Sequence, residues 1–142
     1  IDAAVIYIAN TPVVLETQGF TVVTLPISDF VSLVGNGVVV NDDMLENDPE
    51  LIENFISATQ KAIEFAAENP EATFEICKEF VPNLDEDIVQ YQVLLASIPF
   101  WTINGGISDA NSWEVTNDLI RSMGLLENEL QTAELYTNDF VK

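Results

Sequence analysis

At 142 residues the chain has room for one cooperative core, and its 48% apolar content is too high for disorder. It carries 24 acidic residues against four basic ones, Lys61, Lys78, Arg121 and Lys142, for a formal charge of -20. A field of that sign repels nucleic-acid backbones and anionic lipid, so neither is an expected partner. The chain has no histidine, which removes His-based general bases, His metal ligands and a Ser-His-Asp arrangement. Cys77 is the single cysteine, so an intrachain disulfide is impossible, and the lone thiol does not fix a compartment. No uninterrupted apolar run approaches the length needed to span a bilayer.

Residues 1–8 are almost all apolar after Asp2, the pattern of a strand covered on both faces. Asn10-Thr11-Pro12 interrupts that run. Asn10 or Thr11 suits the cap of a short helix with Pro12 in its first turn, and Gly19 suits its C' position. Residues 20–25 read as the next strand, ended by Pro26, which makes a parallel crossover unit with a short helix. Residues 38–40 carry a third strand signal. Before them, Asn36-Gly37 fits a tight hairpin, and Gly35 to Gly37 equally fits a long extended crossing with close backbone approach.

From Asn41 onward the pattern is helical. Asn41, Asp42 or Asp43 caps a short turn. Asp48-Pro49-Glu50-Leu51 then opens a helix whose Ile52, Phe55, Ile56, Thr59, Ala62, Ile63 and Ala66 form an apolar stripe. Asn69-Pro70 ends it and starts a helix with Phe74, Cys77, Phe80 and Val81 on one side and Lys78 facing water. Asp85 is expected to cap a third helix, with Ile88, Tyr91, Leu95 and Ile98 inward and Pro99 as its stop. Residues 99–113 read as a loop. A last helix starts near Ser112, with Trp113 in the core and Gly124 at its end, and the tail returns in short turns. Four helices need more apolar surface to cover than three short strands offer, so a sheet continuing into further sequence is expected.

No motif carries bond chemistry. Cys77 reads as a buried structural thiol, and the acidic pairs at helix starts read as caps. Ser108, Asp109, Asn111 and Glu114 offer oxygen atoms without the glycine and spacing of a calcium loop, so no metal site is expected. No cofactor is expected either. The candidate ligand contacts are Tyr7 and Asn10 at the end of the opening strand, where a ring can stack and an amide can both donate and accept. Asp29 and Asn36 flank the expected crossing, and Trp101 either walls a pocket or plugs helix ends.

The stretch GNGVVVNDDMLENDPELIENFISATQKAIEFAAENPEATFEI resembles the periplasmic solute-binding proteins of ABC importers. Within them it is similar to the branch that binds thiamine pyrimidine precursors, whose relatives take riboflavin, sulfonates or nitrate. The opening, with Tyr7 and Asn10-Thr11-Pro12, and the closing Tyr136-Thr137-Asn138-Asp139-Phe140 add to the likeness. Thr11 stands where that family often has glutamate, so any contact made by that carboxylate is not inherited. The resemblance implies an α/β, periplasmic-binding-protein-like (type II) two-lobe fold, represented here by its C-terminal portion. Residues 1–28 would end the second lobe, 29–40 would form the inter-lobe crossing and strand, and 41–142 the helical C-terminal section of the first lobe. It further implies a parent protein, periplasmic or membrane-anchored outside the cell, that binds a small heterocyclic solute at Tyr7, Asn10, Thr11, Asp29, Asn36 and Trp101. The parent would hand the solute to an ABC transporter permease, its only membrane association being peripheral. Two alternatives stay beside this: a pyrimidine-precursor synthase, which in fungal relatives uses histidine and a cysteine-rich motif, and an acidic interaction fragment forming a homodimer through a sheet edge.

Overall fold

Residues 3–142, except 83, 85–87 and 129, are described in a computed structural model. Six α-helices follow in chain order: α1 (Thr11–Thr17), α2 (Asp42–Asn47), α3 (Pro49–Glu68), α4 (Pro70–Phe80), α5 (Ile88–Trp101) and α6 (Ala110–Ser122). Their ends follow local chemistry. Asn41 caps α2 by accepting the Met44 amide at 2.8 Å. Asn69 separates α3 from α4, closing the first through two donations to the Phe65 carbonyl and accepting the Thr73 amide at the start of the second. Gly19 and Gly124 end α1 and α6 at φ 87° and 70°. In each case the glycine amide and the next amide fold back on the last turn, Gly19 to Glu16 and Phe20 to Leu15, Gly124 to Arg121 and Leu125 to Ile120. The cap expected at Asp85 lies outside the described residues.

The α/β expectation is overturned: no strand and no sheet occurs among the described residues, and the regular structure is helical. The apolar runs 3–8, 20–25 and 38–40 are non-helical chain with no ladder. Residues 21–25 make no backbone hydrogen bond among the described residues, and their neighbours bond only locally, as in Phe20 to Leu15. Val5, Val23 and Val39 are 89%, 83% and 92% exposed. The physical reason is that a strand exists only through a partner backbone, and these runs do not partner one another. A sheet edge through which two copies might pair is therefore also missing among the described residues. The hairpin alternative fails as well, because a two-residue type I' turn needs positive φ at Asn36 and Gly37 and neither has it.

Two further expectations change. Pro99 does not stop α5, which runs on to Trp101. In the last turn, proline removes one hydrogen bond, and the Thr102 amide still reaches the Ile98 carbonyl. Lys78 does not stand out into water. It lies 5.2 Å from the Phe74 ring centroid and pairs with Glu75 at 2.6 Å.

The chain divides into two compact units, Ile1–Leu25 with Lys61–Ile103, and Pro26–Gln60 with Asn104–Lys142. In the first, α5 is the shared element, packing on α1 and on α4. Phe74 and Tyr91 meet at 5.2 Å between centroids, and Pro12 and Ala66 are buried. In the second, α6 holds the segment around Ser32 and the turn Thr132–Glu134. Beside Pro12, Ile52 at 5% and Ala66 at 3% exposure are the buried apolar residues among those described, so much of the apolar surface stays uncovered.

Candidate functional site

In the first unit, Tyr7 and Asn10 come together through one turn, the Asn10 amide donating to the Tyr7 carbonyl at 3.1 Å. Asn10 precedes α1 without a side-chain cap bond, and Thr11 is the first residue of the helix. The side chains of Tyr7, Asn10 and Thr11 are exposed. Trp101 ends α5, the helix on which α1 packs, and is exposed too. In the second unit, Asp29 closes the 3-10 turn Ile27–Asp29, and Asn36 lies in the extended chain beyond it. Both are exposed, and they flank the segment that α6 holds.

That attachment is a polar chain. The Asp109 carboxylate accepts the Ser112 amide and hydroxyl, each at 2.8 Å. Because the Ser112 hydrogen is committed to Asp109, the 2.7 Å contact between the Ser32 and Ser112 hydroxyls is donated by Ser32. One turn further on, Thr116 donates to the Ser112 carbonyl at 2.7 Å and accepts the Val34 amide at 2.9 Å. The Ser112 hydroxyl, then its amide, hold the Asp109 carboxyl below the usual carboxylate range. Asp109 is thus a helix cap, a role the sequence reading missed by starting the helix near Ser112.

A second cluster joins the tail to the same unit. Asn138 accepts the Ser108 amide at 2.8 Å and returns a donation to the Ser108 carbonyl at 3.0 Å. Tyr136 stacks on Trp113 with 5.4 Å between centroids and 7° between planes. A recess of about 240 Å³ lies among Glu53, Asn54, Ser57, Gln60, Phe140 and Lys142. The Lys142 ammonium pairs with Glu53, while Gln60 donates to the carbonyls of Gly105 and Lys142. A shallower recess of about 540 Å³ lies at the start of α3, by Asn47, Asp48 and Glu50. The sequence reading made none of these lining residues a site: Asp48 and Glu50 entered as a helix start, Phe140 as part of the closing family likeness and Lys142 as a basic residue. Among the described residues no three His, Cys, Asp or Glu side chains are grouped to hold a metal, and no helix is long and apolar enough to cross a membrane.

Aromatic and amide groups are thus exposed near helix ends at Tyr7, Asn10 and Trp101. The NMT1/THI5-like family profile matches residues 1–73, about half of the chain, and the chain belongs to that family. A riboflavin-binding protein, RibY, of Chloroflexus aurantiacus is 31% identical over 149 residues, covering 99% of this chain and 42% of that protein. A 4-amino-5-hydroxymethyl-2-methylpyrimidine phosphate synthase of Legionella pneumophila is 24% identical over 93 residues, 66% of this chain and 29% of the synthase. The chain therefore spans less than half the length of the curated relatives it matches. No solved structure matches it.

Proposed function

We propose that the protein captures a small, neutral, planar heterocycle outside the cytoplasm and delivers it to the permease of an ABC importer. The observation that carries this reading is the 31% identity to a riboflavin-binding protein over 99% of the chain. Exposed aromatic rings at Tyr7 and Trp101, with amide or hydroxyl groups at Asn10 and Thr11, supply the chemistry for stacking and edge recognition of a flavin or an aminopyrimidine. Asp29 and Asn36 are the corresponding polar candidates of the other unit. The charge of -20 favours an uncharged solute, because a phosphorylated one approaches against the field.

The test is a titration of the full-length gene product with riboflavin, flavin mononucleotide and 4-amino-5-hydroxymethyl-2-methylpyrimidine, by calorimetry and, for the flavins, fluorescence quenching. Saturable binding of a neutral member, with the phosphorylated flavin weaker by about tenfold or more at low salt, is expected. Failure of both neutral compounds to bind overturns the reading. The similarity to a pyrimidine phosphate synthase favours a second reading as an enzyme of pyrimidine-precursor formation. Release of a phosphorylated pyrimidine by the same preparation would establish it instead.

A further inference from the structure

Asn117 sits on α6 one turn after Trp113, so both side chains leave the same face of the helix. Asn117 is 9% exposed, and its amide nitrogen donates to the Leu130 carbonyl at 3.2 Å. That bond identifies the other end of the amide as the oxygen, which is buried with no hydrogen-bond partner among the described residues. The Trp113 indole nitrogen is likewise buried with no acceptor. One orphaned donor and one orphaned acceptor therefore share one helix face, the donor on the indole that stacks on Tyr136. Roughly nine in ten buried polar groups in folded proteins are paired, so two orphans in one place call for a common partner.

We propose that the Trp113 indole N–H and the Asn117 side-chain oxygen jointly hold one internal water molecule that fastens the tail to α6. The occupant must accept one hydrogen bond and donate another. An anion meets the Asn117 oxygen unfavourably, and a metal cation meets the indole hydrogen unfavourably. Water satisfies both at once. Buried waters make about three hydrogen bonds. The Leu130 carbonyl, which already accepts from Asn117, has a second lone pair to offer as the third partner. The water then bridges α6 to the tail at Leu130, the same tail whose Tyr136 stacks on Trp113. This site is independent of the solute proposed above.

The experiment is proton-detected NMR on the full chain with nitrogen-15-labelled indoles. The Trp101→Phe variant, altered at the far end of α5 in the other unit, leaves a single indole signal and so assigns Trp113. A cross-peak from the Trp113 indole proton to water, with the sign of a molecule bound for longer than the protein tumbles, is expected. Solvent exchange of that proton at least about tenfold slower than at exposed Trp101 in the unmodified chain should accompany it. A cross-peak to the Asn117 side chain alone would show a direct bond and overturn the proposal. Exchange as fast as at Trp101 would overturn it equally.

Discussion

Asn138 does for the loop at Ser108 what a neighbouring backbone would do, accepting one hydrogen bond from it and returning another. Asn138→Ala is expected to lower stability by about 1–2 kcal/mol in denaturant titration, since two part-buried bonds are lost. Asn138→Asp, which cannot donate when ionised, should fall on the same side of wild type. Nothing in the run Tyr136 to Phe140 announces this pairing, because its partner lies 30 residues away. Asp109 was visible in the sequence only as an oxygen-bearing loop residue, although aspartate is among the residues favoured directly before a helix, where its carboxylate accepts the Ser112 amide. Its folded pKa is depressed from 3.8 by the Ser112 bonds. Its contribution to stability is therefore complete above the unfolded value and disappears as pH falls through the lower folded value. Asp109→Asn should flatten the dependence of melting temperature on pH below about 4, the ordinary aspartate range; an unchanged slope would show that Asp109 does not contribute to acid stability.

At the scale of elements, the helices were legible because their signals are local. Pro49, Pro70, Gly19 and Gly124 stand where the chain turns or stops, and they act through their own φ and their own amides. A side-chain carbon added at Gly124 meets nothing within 4 Å, so Gly124→Ala tests the backbone alone and should cost about 1 kcal/mol. Gly37 is equally open and lies outside the left-handed region. Gly37→Ala should be neutral or stabilising by about 0.4–1 kcal/mol, through the unfolded chain. Thermal melts of the two variants separate the extended path from a hairpin, which would make Gly37→Ala the more damaging one. Pro99 shows the limit of punctuation: it forbids one hydrogen bond, and whether the helix ends there depends on how much helix remains to be lost.

At the scale of the whole molecule, surface area is the dominant fact. The chain exposes 10946 Å². Two separate globules of half its mass would together expose only about 8,700 Å² by the scaling of monomeric proteins, so the excess holds however the units are arranged. Residues 3–41, which contain all three of the apolar runs 3–8, 20–25 and 38–40, carry only Glu16 and Asp29 as charged side chains. Apolar attraction and a charge of -20 therefore oppose each other in any encounter between copies. Light scattering is expected to show the 142-residue chain as monomer near 0.01 M salt, where screening extends over about 30 Å, and as larger species near 1 M, where it falls to about 3 Å. A mass independent of salt would show that the exposed runs do not drive association.

The sequence alone determined most of the helix boundaries, the end of α5 and the start of α6 excepted, and which family the chain resembles, because those signals lie within a few positions of one another. Tertiary structure alone decided that residues 3–8, 20–25 and 38–40 form no strand ladder among the described residues. It alone set Ser32 on Ser112 and Val34 on Thr116 across 80 and 82 positions, and Tyr136 on Trp113. Apolar patterning states that a segment seeks cover, and only the positions of distant backbone and hydroxyl groups determine what covers it.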